Sequence, residues 1–409
     1  MKNSIILLSF LSLILFGCSK ESTPPLVLSV SPSQGFVVDY EEQSLRIEIQ
    51  SGSEWALSGQ TAWCVPERVS GTGSGAVTIT VAPNISGQER VANLTVTNRQ
   101  ESKTIRITQG ASAQEYQYKI PVVFHVLYTN PSNLNQNIPA EWIYQLLAQS
   151  NQAFKGSTSS PDMAVEFTPA THDPSGKALA EAGINRILWG RSLSMDCNVF
   201  MKDKENVNYL WNPSKYINIF VYSFTNENVL GVSFLPYTVS SNALEGLYPG
   251  DRYLVDQTLT YPHSLSLNNL FFYAQHRYLK VPYMGLTLAH ELGHYLGLFH
   301  VFSEEGSLTD YCADTDTYDR KEYDEWLDSL TTALTFDRLA QRTDPGGKTF
   351  TSYNRMDYDY SYLNRFTSDQ KIRIRHVLEN SPLVPGPKRS SGVAKGAVDM
   401  SVPDARIIE

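Results

Sequence analysis

Cysteine is scarce: four residues in 409. A dense disulfide framework is therefore excluded, and the fold has to be held by an apolar core. Charge is also modest, at 18% of residues with a net formal charge of −9. With no basic excess there is nothing to gather a phosphate backbone, which argues against nucleic acid as a partner. Long apolar runs are missing except at the start, where Ile5 to Phe16 follow the single positive charge of Lys2. That run is too short for a permanent membrane span and reads as a targeting segment. Hydrophobic residues make up 42% and tyrosine reaches 23. A chain of this length and balance accommodates two or three globular domains.

The targeting segment occupies residues 1–18. Leu15-Phe16-Gly17-Cys18 resembles a bacterial lipobox, in which the cysteine is lipidated and becomes the new N-terminus. The expected location is an exported, lipid-anchored protein of the outer membrane or cell surface, with residues 19–25 as a polar tether. Cys64, Cys197 and Cys312 then remain; three is an odd number, so at least one thiol is free, and a Cys197–Cys312 bridge is permitted without being implied.

Residues 26–110 predict an all-β immunoglobulin-like sandwich. Short alternating runs recur at Leu45 to Ile49, Val77 to Val81, Leu94 to Thr97 and Ile105 to Thr108, separated by Gly, Ser and Asn clusters. Trp55 and Trp63 are the expected core aromatics. The block resembles a BACON domain through those tryptophans, the turn between Gly71 and Gly75, Asn84, Arg90 and the closing Gln109-Gly110. The resemblance implies either a glycan-binding partner surface or a spacer that lifts the rest of the chain off the membrane. Residues 111–115 read as a small-residue linker.

The chemistry sits at His290-Glu291-Leu292-Gly293-His294-Tyr295-Leu296-Gly297-Leu298-Phe299-His300. On a helix His290 and His294 lie one turn apart on one face, so their imidazoles can share a metal. Glu291 beside them is placed to accept a proton from water. Gly297 can adopt the left-handed conformation that ends the helix and brings His300 round as a third ligand. Three imidazoles with an open position are the donor set of catalytic zinc. The full spacing is the metzincin zinc motif. The competing reading is an amphipathic core helix with satisfied histidines.

That motif requires a methionine turn downstream, and Asn354-Arg355-Met356-Asp357-Tyr358 supplies one. Here the chain resembles the pappalysin branch of the metzincins over roughly residues 116–385. Further blocks carry the resemblance: Tyr216 to Phe220 with Leu230-Gly231-Val232 and Pro236, Asp310-Tyr311 with Asp314-Thr315, and Phe366-Thr367 with Gln370. It implies an α+β zincin fold, a twisted mixed sheet carrying the zinc helix. It also implies zinc on His290, His294 and His300, Glu291 as the proton carrier, Met356 as an apolar floor and Tyr358 as an oxyanion donor. The activity implied is that of a metalloendopeptidase with a protein or peptide substrate. Asp314 and Thr315 resemble the family's calcium loop, but Asp316 replaces a proline and the loop's usual cysteines are missing; a solvated loop without calcium is the alternative. Relatives favour a basic residue after the scissile bond through an acidic pocket group, for which Asp359 is the candidate. A strand over Asp251 to Tyr261 is expected to form the sheet edge along the cleft, with Leu254 and Val255 contacting substrate backbone.

Elsewhere, Ile120 to Tyr128 predicts a buried strand containing His125 as a core residue, and Pro139 opens a helix with Ile143, Leu146, Leu147 and Phe154 inward. Residues 262–282 read as an insertion with His263 and His276 on its surface. Residues 320–341 predict one helix, Thr367 to Gln370 a capping box before the last helix, and residues 386–409 a flexible tail. Two other functions stay open: a non-catalytic glycan-binding adhesin built on the β domain, and a zinc hydrolase with a non-peptide substrate.

Overall fold

The computed structural model describes residues 27–61, 63–250, 259–270, 272, 282–303, 309–358, 360–388 and 406–408. Cys18, Leu254, Val255, His276 and Asp359 lie outside them.

The N-terminal region is a two-sheet sandwich. Leu28–Ser31, Gln43–Ser51, Gly75–Val81 and Cys64–Pro66 form one sheet; Phe36–Val38, Ser102–Gln109, Arg90–Thr97, Glu54–Ser58 and Ser70–Thr72 form the other. The alternating side chains Ile47, Ile49, Val77, Ile79, Leu94, Val96, Ile105 and Ile107 meet between them, as a period of two requires. Trp55 is buried in this core, while Trp63 is half-buried beneath the Arg90 guanidinium, 4.3 Å from its ring centre. Arg90 also donates to the carbonyls of Ala82 and Pro83 and to Gln109 Oε1. Cys64 is fully buried, and desolvation raises its thiol to about 11, as befits a core residue.

In the larger region, β1 (Tyr118–Tyr128) is the spine of a mixed sheet. Parallel to it run β2 (Val165–Pro169), β3 (Ile184–Leu188) and β4 (Ile217–Phe224); β6 (Leu265–Asn268) continues parallel to β4. Between β4 and β6 in sequence lies β5 (Gly231–Phe234), which pairs antiparallel with β6. The order is β2-β1-β4-β6-β5, with β7 (Ile407–Ile408) added antiparallel to β5. One face, through Val122, Phe124, Ile219 and Val221, packs on helices α1 (Ala140–Phe154) and α2 (Pro282–Tyr295). The other, through Phe220, Tyr222, Phe224 and Phe234, packs on Trp189, Phe200 and Met201. Both faces being covered explains the near-continuous apolar runs of β1 and β4. The last helix, α3 (Ser368–Asn380), opens with the expected capping box between Thr367 and Gln370. Together these elements form the α+β architecture expected from the sequence, a mixed sheet beside the helix that carries the histidine motif, preceded by an all-β sandwich.

Several expectations need correction. Residues 262–282 are not wholly a surface insertion: Leu265–Asn268 is a fully buried sheet strand, and His263 is buried against Phe234, Tyr261 and Tyr295. The expected helix over 320–341 is two pieces, Arg320–Asp328 and Phe336–Leu339, because Ser329 ends the first and Thr335 caps a new start. The expected tail from 386 is not all outside the core: Arg406 O accepts from the Leu235 amide, and Ile408 is buried. Leu383 and Val384 are buried as well. The bridge left open between Cys197 and Cys312 is not formed; both side chains are buried.

His125, by contrast, is the satisfied core histidine expected, 2.9 Å from both Asn218 and Asn185. Burial pulls its pKa down to about 4 and that of His263 to about 3. Both therefore fold neutral. In the unfolded chain each titrates near ~6.5, so below that pH the unfolded state binds more protons and stability falls as pH falls toward the folded values. Melting temperature is expected to hold above ~pH 7 and to decline from ~6.5 to ~4. Replacing His263, whose ring nitrogens have no hydrogen-bond partner among the described residues, by Phe should make that decline shallower. The difference should approach ~1.4 kcal/mol per pH unit. An unchanged slope in urea titrations at stepped pH would contradict the assignment.

Candidate active site

Helix α2 carries His290 and His294 on one face. It ends because Gly297 takes φ +90°, the left-handed turn in which the Leu298 amide donates to Gly293 O. A β-carbon on Gly297 would also stand 2.7 Å from Val377 of α3. Arg373 of α3 donates to Gly297 O, so the turn is held from outside. The chain after it returns His300 to the other two.

The three Nε2 atoms converge, each pair 3.0 Å apart. Such contacts cannot all be hydrogen bonds. His290 Nδ1 lies 2.8 Å from Arg355 O, and His294 Nδ1 lies 2.8 Å from Leu298 O. A carbonyl only accepts, so both Nδ1 atoms carry the proton and both Nε2 atoms of the neutral rings present lone pairs. Burial, followed by the charges of the neighbouring histidines, holds His294 and His300 well below the usual histidine range. Converging lone pairs repel unless a cation lies between them. This donor set fits a metal with nitrogen ligands, and zinc is the ion that three imidazoles and an open position suit. Among the described residues, no other group of three or more His, Cys, Asp or Glu side chains is arranged to hold a metal.

Glu291 is 3% exposed. It faces β5 so closely that a β-carbon on Gly231 would stand 2.7 Å from its carboxylate. Glycine is required there by the approach. Met356 is fully buried, its Sδ 2.6 Å from where a β-carbon on Gly293 would stand, so it lies against the helix between the two histidines. The ring of Tyr358 is 4.6 Å from that of His300 and 5.9 Å from that of His290, with the Arg320 guanidinium 5.1 Å from its centre.

The turn bearing Met356 and Tyr358 is fixed by side-chain contacts that join segments apart in sequence. Asn354 and Gln370 of α3 exchange two side-chain hydrogen bonds of 3.1 Å, and Asn354 Oδ1 accepts from the Met356 amide. Asp357, fully buried, accepts from Tyr318 Oη at 2.6 Å, from the Tyr358 amide at 2.7 Å and from Ser352 Oγ. Arg342 Nη2 lies 3.4 Å from it, both side chains excluded from solvent. Only the burial of an arginine fifteen residues upstream, in the short strand Gln341–Thr343, could have signalled this pair, and burial is not readable there.

Asp314 and Thr315 lie together, but their oxygens are engaged internally: Thr315 Oγ1 donates to Asp310 and Cys312 O, and Asp314 accepts from the Asp369 amide at the start of α3. The loop is a clasp onto α3. The residues expected to line the substrate edge, Leu254 and Val255, are outside the described residues; the strand that borders Glu291 is β5. Its outer side meets β7 at Ser233 and Phe234, at the end away from Glu291.

Comparison with known proteins agrees with this geometry. Residues 201–379 match the Peptidase_M43 family described as pregnancy-associated plasma protein-A, and residues 53–110 match BACON, a putative N-terminal binding domain. Residues 201–379 thus match a pappalysin-family domain and residues 53–110, ahead of it, a BACON domain. An extracellular metalloprotease of Arthroderma benhamiae is 38% identical over 91 residues, which is 22% of this chain and 30% of that protein. One from Arthroderma otae is 37% identical over the same extent. The chain therefore spans under a third of the length of these curated relatives. Among solved structures, Tannerella forsythia mature mirolysin in complex with a cleaved peptide is 22% identical with TM-score 0.43, covering 64% of this chain and 92% of that one. Tannerella forsythia promirolysin is 22% identical with TM-score 0.46, covering 65% and 81%.

Removing the charge from Asp357 leaves Arg342 buried without its carboxylate. Asp357→Asn is expected to cost about 3–5 kcal/mol, read as a lowered denaturation midpoint in urea, whereas an exposed ion pair would cost under ~1 kcal/mol.

Proposed function

We propose that this chain is a zinc-dependent endopeptidase. The observation that carries the reading is the convergence of three Nε2 lone pairs, with the Nδ1 protons of His290 and His294 fixed on backbone carbonyls, beside a buried glutamate. Zinc, when bound by His290, His294 and His300, would polarise the scissile carbonyl and acidify a water molecule. The remaining work falls to this chain's residues. Glu291 takes a proton from water at its carboxylate and returns it to the leaving amine, and its burial keeps competing solvent away. Gly231 and Val232 present the end of β5 nearest Glu291 to an extended peptide, which would add as a strand. Tyr358 donates its hydroxyl proton to the developing oxyanion, held at that place by the Asp357 contact to its own amide.

The pre-organised Nδ1–carbonyl pairs support a working site rather than a retired one, since a retired fold has no need of bare lone pairs in its interior. A non-peptide zinc hydrolase would have no use for the end of β5 nearest Glu291, whose outer side no strand pairs among the described residues. The loop at Asp314 and Thr315 is read as a structural clasp without calcium. Lipid anchoring at Cys18 and export remain part of the reading on the strength of the leader's pattern. The BACON domain is read as a spacer, though not a loose one: Ile85 packs into the catalytic core, and Glu115 pairs with Lys371 and Arg375 of α3.

The purified protein is expected to hold one zinc. Glu291→Gln should keep the metal by elemental analysis and lose nearly all peptide hydrolysis; His294→Ala should lose both. Hydrolysis by a metal-loaded Glu291→Gln variant would sink the mechanism. Tyr358→Phe is expected to lower kcat with little change in KM; a raised KM at unchanged kcat would make Tyr358 a substrate-binding residue instead.

A further inference from the structure

A group of aromatic rings adjoins the histidine cluster at His300. Phe302 stacks on the His300 ring, with centres 4.5 Å apart and planes 14° apart. Tyr358 stands at a steep angle to both, 4.6 Å from His300 and 4.8 Å from Phe302 between ring centres. Tyr358 also borders the cavity that Glu291 and His290 line, so its phenol has the reacting side of the site as a neighbour. The bond from the Tyr358 amide to Asp357 holds the backbone of this residue. It does not set the side-chain torsions on which the place of the hydroxyl depends.

One cation enters this group of rings. Arg320 opens the helix Arg320–Asp328, which Asp319 caps by accepting from the Glu322 amide. The helix start is tied to the chain just past His300, because Phe302 bridges to Tyr318 and the Ser303 amide donates to Tyr318 O at 2.9 Å. The Arg320 guanidinium carbon then stands 5.1 Å from the centre of the Tyr358 ring, 5.5 Å from that of Phe302 and 5.8 Å from that of Tyr323. Its Nε donates to Asp324 Oδ2 at 2.9 Å, one helical turn along. Its Nη1 is buried and makes no hydrogen bond among the described residues. Three ring faces therefore take the place that acceptors would fill around a buried guanidinium, and the negative face of each ring attracts it.

We propose that Arg320 is the positioning residue for Tyr358: its guanidinium pins the phenol ring, so that the hydroxyl is already aimed when the oxyanion develops. The proposal rests on the peptidase reading. A hydrogen bond made only in the transition state is strongest when its donor needs no reordering at that moment. Without the cation, the Tyr358 ring has to be ordered during the reaction, which lowers kcat and leaves substrate binding alone. Lysine in place of Arg320 keeps the charge but not the planar contact with the ring or the fixed fork that reaches Asp324, so it restores the effect in part.

The test uses full-length, zinc-loaded protein and a quenched fluorescent peptide that the wild type cleaves. Arg320→Met is expected to lower kcat by ~10-fold with KM unchanged, and Arg320→Lys to stay within ~3-fold of the wild type. In the Tyr358→Phe background, where no hydroxyl is left to aim, Arg320→Met should add almost no further loss. A second readout needs no turnover: in protein carrying 13C at the tyrosine ring ε carbons, the Tyr358 signal is the one lost in Tyr358→Phe, and Arg320→Met should shift it. Should Arg320→Met not fold, Arg320→Gln gives the same comparisons. An unchanged kcat, a raised KM at unchanged kcat, an equal loss in the Tyr358→Phe background or an unmoved Tyr358 signal would each overturn the proposal while leaving the peptidase reading intact. If the wild type cleaves no peptide, the peptidase reading falls. The Tyr358 signal then decides the pinning alone, a shift in Arg320→Met supporting it and an unmoved signal overturning it.

Discussion

Three imidazole nitrogens held within 3.0 Å of one another, lone pair toward lone pair, are the constraint that the surrounding structure answers to. Left alone, such an arrangement would relax by rotating a ring or by protonating one. Neither route is open. The Arg355 and Leu298 carbonyls fix the tautomer and plane of two rings, and burial opposes protonation of His294 and His300. The strain is therefore a pre-formed affinity for a cation, and the fold supplies the rigidity that keeps it.

That rigidity comes from three elements far apart in sequence. Helix α2 gives the spacing of His290 and His294. Helix α3 holds both turns that complete the site: Arg373 bonds the carbonyl of Gly297, and Gln370, itself the N3 residue of the capping box, bonds Asn354 at the start of the methionine turn. A helix that contributes nothing to the chemistry thus positions both His300 and Tyr358. The cap of α3 serves two purposes: it ends the helix cleanly and, with the same amide, fixes the turn.

What the sequence made legible was local. A helical turn separates His290 from His294, alternation marks the β strands of the sandwich, and Thr367 with Gln370 is a capping box readable within four residues. The methionine turn and the third histidine were legible through their spacing. What was hidden depended on pairing at a distance. Leu265–Asn268 is only four residues long and carries Ser and Asn, so nothing in its pattern distinguishes a central strand from a loop; its neighbours β4 and β5 make it one. His263 reads as a surface residue beside Pro262, yet the aromatic rings of Phe234, Tyr261 and Tyr295 enclose it. The helix expected over 320–341 broke because Ser329 and Thr335 answer local end and cap rules more strongly than the apolar stripe holds the segment together. Ile407 and Ile408 looked like part of a polar tail, and only the open edge of β5 gives them a partner.

The cleft also shows how one turn can hold two charged groups to different ends. Asp357 and Arg355 flank Met356, so their backbones are fixed alike, but their side chains meet different surroundings. Asp357 turns inward to hydroxyls, an amide and the buried Arg342, and its charge is neutralised where it stands. Arg355 turns toward Leu363 and Asn364, whose carbonyl oxygens orient the guanidinium. The inward pair secures the turn from within, and the outward guanidinium ties it to the chain beyond Tyr358. The backbone carbonyl of Arg355 also fixes His290, so one residue both orients an imidazole of the site and braces the turn. A substitution at position 355 that preserves the backbone therefore leaves the contact to His290 in place, because the side chain and the carbonyl act on separate parts of the site.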